Sequence, residues 1–257
     1  MIKKLYFDIV GIYSVVGIIL LLKWIFFLFI KFPEIIKVKN LEPADICIGS
    51  GPVKVKINGR SAFLSGTKVF SGIREILVRN CYLSKFLNFT NDNLVVDLGA
   101  NIGIFTQLAL SQNSKLKTIS VEPNYKLLKQ LEDSVACNNW SERSTTLKAF
   151  LGTKTSTQEN ALETEAYKDT NFMSELEFIN KFSIVMIDFL KIDIEGSEFA
   201  FINDKSRLLD MCKKLAIEIH EDSGNIDSFI GYLNKKNFNI HSIEWARGGC
   251  VLLASRP

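Results

Sequence analysis

The 257-residue sequence is 47% hydrophobic and 23% charged, with a formal net charge of +3. The ordinary charged fraction excludes a largely disordered chain, and the length allows one sizeable domain with an additional segment. The lysines are scattered without a long run of like charges, so a nucleic-acid partner is not expected. Five widely spaced cysteines show no metal-binding or redox spacing, so we expect reduced thiols: Cys47, Cys81, Cys137, Cys212 and Cys250.

The first thirty residues differ from the rest of the chain. Between Ile9 and Ile30 only Lys23 is charged, and a helix over this stretch is about 33 Å long, enough to cross the hydrocarbon core of a bilayer. A cleaved signal peptide, an interfacial helix and a helix buried within the fold are the alternatives. No small-residue cleavage site follows the segment and it lacks a charged face. We predict a membrane anchor over 1–32, with one transmembrane helix at about 9–30.

The lysines on the two sides of this segment bear on its orientation. Lys3 and Lys4 precede it, whereas Lys31, Lys37 and Lys39 follow it. Because cytoplasmic flanks carry the excess of positive charge, this count slightly favours a cytoplasmic C-terminal side. The chain is therefore expected to be a single-pass membrane protein whose main domain faces the cytoplasm.

Residues 33–87 are predicted to form a linker and a small β/α lead-in. The prolines of 32–45 indicate a linker, and 46–70 has the alternation of two or three short strands. Asn58-Gly59 within it is a favoured hairpin turn. Apolar residues at helical spacing predict a helix over 71–87.

From residue 88 to 257, apolar strand-like runs alternate with helical patterns. Strands are predicted at "NLVVDLG", "KTISVEP", "TTLKAFLG", "DFLKIDIEG" and "KLAIEIH", and "FNIHSIEW" and "CVLLAS" flank a turn in "ARGG". Helices are predicted at 103–112 and 124–138, from "DFLKIDIEG" to about 209, and at 225–236, with an irregular polar stretch at 152–172. This order predicts an α/β, doubly wound fold with a mostly parallel sheet and an antiparallel C-terminal hairpin.

The stretch "VVDLGANIGIFT" contains the end of the first predicted strand of this sheet and the loop after it, where such folds bind ligands. Gly99 and Gly103 have no Cβ and allow the backbone to approach a ligand. A dinucleotide fingerprint requires further glycines, and here Asn101 stands in place of the middle one. Asp97 would repel a pyrophosphate but suits a cationic ligand. S-adenosylmethionine (SAM), with its sulfonium and amino groups, fits this loop better than NAD.

A second carboxylate ends the next predicted strand. Glu122, in "ISVEP", can accept hydrogen bonds from both hydroxyls of a ribose. Alternatively, it complements the N-terminus of the following helix, with Pro123 in the first turn. Together the two motifs predict a nucleoside-binding site.

Four motifs in this order, "VVDLGANIGIFT", "SVEPN", "LKIDIEGSE" and "LAIEIH", resemble the FkbM family of SAM-dependent methyltransferases. The lead-in "SGIREILVRNCY" is also similar to the segment before the family's first motif, so the resemblance covers roughly 70–257. It implies a Rossmann-like class I methyltransferase fold with a seven-stranded sheet, SAM as methyl donor and usually O-methylation. Carried onto this chain, it implies that the glycine-containing loop lines the methionine part of SAM and that Glu122 holds the ribose. The predicted cofactor-binding residues are Asp97, Gly99, Ala100, Asn101, Gly103, Glu122 and Phe150.

Methyl transfer needs an acceptor oxygen in line with methyl and sulfur, and it gains from a general base. His220, whose ordinary pKa of about 6.5 suits a base, ends one predicted strand. Asp193 and Glu195 end another and are candidates for substrate or cofactor contact. A loop-facing or capping histidine and acids that stabilise a helix N-terminus are the structural alternatives. We predict His220, Asp193 and Glu195 as the catalytic residues.

A metal is not predicted. Asp193, Glu195 and Glu218 could in principle hold Mg²⁺ through oxygen ligands. Alternation along "AIEIH" places Glu218 and His220 on one face of a strand, but nothing in the spacing demands an ion. His241, inside the predicted final hairpin, is interpreted as structural.

The sequence therefore predicts a membrane-anchored SAM-dependent methyltransferase. The expected acceptor is a hydroxyl on a small molecule, a glycan, a lipid-linked saccharide or a secondary metabolite. A non-catalytic SAM-binding or scaffold protein at the membrane is the alternative, and an NAD-dependent oxidoreductase is disfavoured by the missing glycines. Neither the acceptor nor the oligomeric state can be read from the sequence.

Overall fold

The structure is a computed structural model that describes residues 2–84, 87–152, 154–201, 206–221, 224–246 and 248–256. Its strands are β1 (Val53–Ile57), β2 (Arg60–Leu64), β3 (Leu94–Leu98), β4 (Lys117–Val121), β5 (Ser144–Leu147), β6 (Ala149–Leu151), β7 (Asn171–Met173), β8 (Ile187–Ile192), β9 (Cys212–His220), β10 (Asn239–Ala246) and β11 (Gly249–Ser255). Its helices are α1 (Ile2–Val16), α2 (Ile18–Ile30), α3 (Phe32–Val38), α4 (Glu42–Ile46), α5 (Val69–Gly72), α6 (Ile104–Gln112), α7 (Tyr125–Cys137), α8 (Ser156–Ala161), α9 (Glu175–Phe182), α10 (Arg207–Met211) and α11 (Ile226–Lys235). A π-helical turn spans Ile73–Val78, and short 3-10 turns span Ser141–Arg143, Glu165–Tyr167 and Glu198–Phe201.

A seven-stranded sheet with the order β10-β11-β9-β8-β3-β4-β5 forms the centre of the fold. Strands β3, β4, β5, β8 and β9 are parallel, whereas β11 pairs antiparallel with both β9 and β10. The predicted mostly parallel sheet with an antiparallel C-terminal hairpin is confirmed. The strand order reverses between β3 and β8, so the ligand-binding crevice of such a sheet lies at the carboxyl ends of these two strands.

The central strands are continuous apolar runs because both faces of the sheet are covered. All six residues of β8 are buried, as a strand between two helical layers requires. Helix α7 shows how the layers form: the Asn124 side chain accepts hydrogen bonds from the first backbone N–H groups and starts the helix. Its residues Leu128, Leu131 and Val135, at helical spacing, then turn inwards and are buried.

The lead-in contributes a hairpin that packs on this domain. Strands β1 and β2 join through Asn58-Gly59, with φ angles of 48° and 81°, the left-handed pair that a tight hairpin turn needs. Every second residue of β1 is buried, as the alternation predicts. These residues share one apolar cluster with α6 and β3, so the hairpin extends the core of the domain.

Two segments of the lead-in differ from the expectation. The predicted linker 32–45 contains α3 and α4, because Pro33 and Pro43 lie in the first turns of these helices, where the missing N–H group costs nothing. The helix predicted over 71–87 ends after the π-helical turn, at Val78. Asn80 takes a φ of 56°, which a right-handed helix does not allow.

The region after β5 also differs from the expectation. The single strand predicted at "TTLKAFLG" is divided, and β6 leaves the main sheet to pair in parallel with β7. The stretch 152–172, which was predicted to be irregular, contains α8 and ends in β7. After β8 no continuous helix forms within the described residues; there is only a 3-10 turn, followed by α10. Glu195 and Gly196, with φ angles of 52° and 89°, prevent a right-handed helix from starting at the strand end. Residues 202–205 of the predicted helix lie outside the described residues.

The N-terminal segment does not form the single transmembrane helix predicted at about 9–30. It forms α1 and α2, which are separated at Gly17 with a φ of 81°. Neither of them, nor any other helix of the described residues, combines the length and the apolar character needed to cross a membrane. One side of each helix packs on the lead-in through Ile12, Leu21 and Trp24, which are buried.

A buried ion cluster ties these helices to the lead-in. The Arg74 guanidinium donates to Asp45 Oδ2 at 2.6 Å, and Arg79 donates to Asp8 Oδ2 at 2.7 Å. The indole Nε1 of Trp24 donates to Asp45 Oδ1 at 2.8 Å. Asp8 and Asp45 are 1% exposed, so each depends on these partners in place of water.

Replacing Asp45 should therefore destabilise the N-terminal part of the fold. In Asp45→Asn the buried Arg74 guanidinium loses its carboxylate partner, and breaking a buried pair costs about 3 kcal/mol. Urea unfolding of the full chain, followed by circular dichroism, measures the loss. Glu42→Gln is the control, because Glu42 pairs with Lys68 on the surface and should change the free energy of unfolding by less than about 0.5 kcal/mol. Equal effects of the two variants would contradict the role given to the cluster.

Candidate cofactor and acceptor site

The loop after β3 is held against its neighbours by backbone contacts. The N–H groups of Gly99 and Ala100 both donate to the carbonyl oxygen of Val121, at 2.9 and 3.0 Å. Gly99 has a φ of 73°, and a Cβ placed there would overlap the carbonyl oxygen of Asp193. Only glycine fits between the ends of β3 and β8, so this residue sets the distance between the two strand ends at the crevice.

Asn101 and Gly103 complete the turn into α6. Asn101 adopts the left-handed conformation, with a φ of 52°, and its N–H group donates to Glu122 Oε2 at 2.8 Å. Gly103, with a φ of 79°, precedes α6, and a Cβ there would press into Leu131 of α7. Gly103 thus serves helix packing at this point, whereas Asn101 faces the crevice.

Glu122 is buried at the end of β4 and is held by two backbone donors. Besides the N–H of Asn101, that of Asn124 donates to Oε1 at 2.9 Å. Burial raises the pKa of Glu122 to about 7, although both N–H groups lower it. Each carboxylate oxygen accepts one of these bonds and keeps capacity for a second. The carboxylate can therefore accept two hydroxyl groups of a ligand, as the ribose prediction requires.

A cavity of about 190 Å³ lies over this loop. It is lined by Gly99, Asn101, Glu122 and Phe150, among others. The rings of Phe150 and Tyr167 stack, with centroids 5.7 Å apart and planes inclined by 17°. A polar carboxylate at one side and flat apolar rings at the other are the surfaces that a nucleoside needs for its ribose and its base.

Asp97 lies below this cavity and lines neither it nor the second cavity described below. Its side chain is fully buried, and Oδ2 accepts from the Thr106 hydroxyl at 2.7 Å. Oδ1 lies 3.3 Å from Nζ of Lys191, which neutralises it. The charge of Asp97 is thus paired within the protein, and its predicted contact with the cofactor stays a prediction.

Lys191 is a charged side chain inside the fully buried strand β8. Its ammonium donates to the carbonyl oxygen of Gly99 at 2.7 Å and lies 3.5 Å from Asp193 Oδ2. Burial lowers the pKa of this amine, but the carboxylates of Asp97 and Asp193 outweigh burial and raise it. The residue thus remains an ammonium ion that cross-links the ends of β3 and β8.

A second cavity, of about 630 Å³, opens on the lead-in side of the same strand ends. The lead-in contributes Ser71, Arg74 and Tyr82 to its lining. The two cavities share the following lining residues: Gly99, Asn101, Leu127, Asp193 and Glu195. A ligand in one cavity can therefore meet a ligand in the other at the edge of the crevice.

An acidic pair with a tyrosine lies at this junction. The hydroxyl of Tyr82 donates to Glu218 Oε2 at 2.9 Å or to Asp193 Oδ2 at 3.1 Å. Burial, and then the neighbouring Asp193 carboxylate, raises the pKa of Glu218 to about 7. Burial also raises the pKa of the Tyr82 phenol well above its ordinary value. Glu218 therefore changes protonation near neutral pH, whereas Tyr82 stays a neutral hydrogen-bond donor.

His220 lies between two acids that affect its pKa, and its predicted role as a base stays a prediction. Its Nδ1 lies 3.0 Å from Glu198 Oε1, and its Nε2 lies 3.4 Å from Glu195 Oε2. The hydrogen bond with Glu198 raises the pKa of His220 to about 9, so the ring is an imidazolium at neutral pH. A protonated ring cannot accept another proton. Its ion pairs instead fix the loop that carries Glu195.

The side chains of Asp193, Glu195 and His220 can bring one ligand atom each within 4.8 Å of one another. A cation there would have to displace the proton from His220, which Glu195 and Glu198 stabilise. The predicted absence of a metal at this cluster stays a prediction.

Three residues of the site were not found from the sequence. Lys191 could have been suspected, because it is a lone charge in an apolar strand. Glu198 lies in "IEGSE", where an acid is equally typical of a helix N-terminus. No local pattern distinguishes Tyr82, which reaches the site from the lead-in.

The sheet order, the glycine bend after β3 and the two joined cavities define an α/β enzyme of the nucleoside-binding, doubly wound class. The chain belongs to the FkbM methyltransferase family: the model of the methyltransferase FkbM domain matches residues 97–240, more than half of the chain. The protein is thus a SAM-dependent methyltransferase, and S-adenosylmethionine is its cofactor. The family match begins at Asp97, later than the resemblance of the lead-in suggested.

Solved structures with a similar chain path include several methyltransferases. A precorrin-6y C5,15-methyltransferase from Geobacter metallireducens GS-15 is 11% identical, with a TM-score of 0.46 over 66% of this chain and 84% of its own. TrmK from M. capricolum, in complex with S-adenosyl-homocysteine, is 16% identical, with a TM-score of 0.43 over 67% of each chain. No protein of curated function matches this sequence.

Adding a side chain at Gly99 should abolish cofactor binding. In Gly99→Ala the Cβ overlaps the carbonyl oxygen of Asp193 and forces the two strand ends apart. Isothermal titration with S-adenosylhomocysteine should show at least about a hundredfold loss of affinity. Gly59→Ala is the matched control, because it has a similar φ of 81° but open space around the Cβ. Unchanged affinity in Gly99→Ala would mean that the ligand binds elsewhere.

The raised pKa of His220 can be measured directly, because the chain has only two histidines. In a proton NMR titration, the His220 resonance should move with a pKa of about 9. His241→Gln identifies the resonance. Glu198→Gln removes the main cause of the shift and should return the pKa towards about 6.5. A wild-type His220 that titrates near its ordinary value would restore it as a base at neutral pH.

Proposed function

We propose that the protein methylates a hydroxyl group of a glycan, a lipid-linked saccharide or a hydroxylated secondary metabolite. SAM binds in the cavity over Glu122, and the acceptor binds in the cavity formed with the lead-in. The observation that carries this proposal is Glu218, a carboxylate with a pKa of about 7 that lines the second cavity. It shares the Tyr82 hydroxyl with Asp193, which lines both cavities.

The residues of the first cavity fit SAM. The bend at Gly99 leaves backbone space, and Glu122 offers two acceptor oxygens to the ribose hydroxyls. Phe150 and Tyr167 offer stacked rings for the base. When bound, SAM supplies an electrophilic methyl group on a sulfonium.

Glu218 is the base in this proposal. Its ionised carboxylate would take the proton of the acceptor hydroxyl, so that the oxygen becomes the nucleophile for the methyl group that SAM would supply. A base with a pKa near the working pH is the most effective one. Tyr82 donates a hydrogen bond to Glu218 or Asp193 and orients these carboxylates. His220 is a positioning residue, because its ion pairs hold the loop after β8.

The lining of the second cavity supports a hydroxyl-rich acceptor. It carries charged and polar groups from the lead-in, including Asn40, Thr67, Ser71, Arg74 and Glu75. Such groups can donate and accept hydrogen bonds with sugar hydroxyls in addition to their bonds within the protein, such as those of Arg74 and Ser71 with Asp45. The location of the domain in the cytoplasm stays a prediction, consistent with the cytosolic synthesis of SAM.

The reaction can be tested without knowing the acceptor. The full-length protein with SAM carrying a labelled methyl group should transfer the label to glycan or lipid-linked fractions of a cell extract. Mass spectrometry should show the gain of one methylene unit, and NMR of the product should place the methyl on oxygen. Gly99→Ala is the control without cofactor binding. Label on nitrogen or carbon would contradict O-methylation, and no transfer by a protein that binds S-adenosylhomocysteine would favour the scaffold alternative.

The base assignment predicts the pH dependence. The pKa of Glu218 lies above the ordinary 4.5, at about 7, so the reactive carboxylate is lost as the pH falls through 7. The value of kcat/KM should therefore rise with pH through about 7 and level off above it. Glu218→Gln should lower kcat about a hundredfold or more and remove this inflection, whereas S-adenosylhomocysteine binding should persist. Glu142→Gln, an exposed control, should match the wild type; an unchanged inflection in Glu218→Gln would assign the base elsewhere.

A further inference from the structure

The outer sides of α1, α2 and α3 expose large apolar side chains. Ile19, Phe29 and Tyr6 are 81%, 77% and 70% exposed. We name as the apolar face those apolar residues of the three helices that are more than half exposed: Tyr6, Phe7, Tyr13, Ile18, Ile19, Leu22, Phe26, Phe29, Ile30, Phe32 and Ile36. An accumulation of this size on consecutive helices marks an interaction surface.

The apolar face is a consequence of helices that are apolar on all sides. In α2, Leu21 and Trp24 are buried on the lead-in. Ile19, Leu22 and Phe26, three and four residues apart, lie on the opposite side and are exposed. One side of the helix thus stabilises the fold, and the other has no partner among the described residues.

The charges beside the apolar face indicate what covers it. Residues 2–40 contain six lysines and two acids. Of the acids, Asp8 is buried in the ion cluster and Glu34 pairs with Lys31 at 2.7 Å. Lys4 and Lys37 are exposed at α1 and α3. Apolar and aromatic side chains with lysines beside them match an interface between lipid chains and anionic headgroups. A second copy would instead bring like charges together across a two-fold interface.

We propose that α1, α2 and α3 lie in the plane of a membrane, with the apolar face in the surface of an anionic bilayer and the lysines at the headgroups. The protein then binds one leaflet without crossing it. The junction of α3 and α4 also borders the second cavity, through Asn40 and Glu42. If the second cavity binds the acceptor, as the proposed function states, its opening lies beside the bilayer. This position favours an acceptor that is anchored in the membrane by a lipid.

Vesicle flotation of the full-length protein tests the proposal without SAM or an acceptor. The protein should float with vesicles of phosphatidylcholine and phosphatidylserine, float less with phosphatidylcholine alone, and bind more weakly as salt screens the lysines. The triple variant Ile19→Ser, Leu22→Ser, Phe29→Ser should lose at least about tenfold in partitioning. The variant Lys4→Gln, Lys37→Gln should lose the preference for phosphatidylserine.

Matched controls use exposed residues elsewhere in the fold. Leu176→Ser, Val185→Ser, Met186→Ser removes exposed apolar side chains from another surface, and Lys115→Gln, Lys117→Gln removes exposed lysines. Both should partition like the wild type. Equal losses in controls and test variants, or a wild type that does not float, would overturn the proposal.

Two further measurements address the other occupants of the apolar face. In the double variant Lys4→Cys, Cys137→Ser, which removes the exposed native thiol, the thiol at position 4 should react with an impermeant maleimide added outside vesicles that carry the bound protein. Protection of that cysteine, with the C-terminal domain accessible, would mean that the segment crosses the bilayer. Light scattering that shows a dimer lost in the triple serine variant, without vesicle binding, would assign the face to a second copy. Methyl transfer to a soluble acceptor is measured separately, so either proposal can fail alone.

Discussion

The buried ammonium of Lys191 is the interaction on which the site depends. It joins the carboxylates of Asp97 and Asp193 and the carbonyl oxygen of Gly99, and so connects the ends of β3 and β8. Removing the amine would leave Asp97 as an uncompensated charge in the core. These contacts fix the distance between the two strand ends that form the walls of the crevice. The positions of the groups that face the crevice depend on this link.

Burial then gives two acids of the site the same chemical property for different tasks. The pKa values of Glu122 and Glu218 are both raised to about 7, yet Glu122 is held by backbone N–H groups and Glu218 by the Tyr82 hydroxyl. The first is fixed by its own loop, whereas the second depends on a residue from the lead-in. The lead-in therefore belongs to the site as well as to the fold.

The sequence predicted the elements whose cause is local. The continuous apolar runs predicted the sheet, and the glycine at position 99 predicted the crevice at its edge. The acid at the end of the second predicted strand identified Glu122 as a candidate site residue. The features that the sequence did not predict depend on contacts between residues that are distant in the chain. The pKa of His220 is set by Glu198, and Tyr82 contacts Glu218, which lies 136 positions further on. The prediction of a single helix over 9–30 was wrong because Gly17 has a positive φ angle and interrupts the helix. In addition, Asp8 and Trp24 form hydrogen bonds with Arg79 and Asp45 of the lead-in.

The position of β11 has a consequence for synthesis of the protein. It follows β10 in the chain but lies between β9 and β10 in the sheet. On the ribosome, the edge of β9 therefore waits unpaired until the residues of β11 have emerged, and β10 has no neighbour before then. Such an open edge is a site of mispairing between nascent chains. Pairing of β11 with both neighbours therefore covers the edge of β9 and joins β10 to the sheet in a single step.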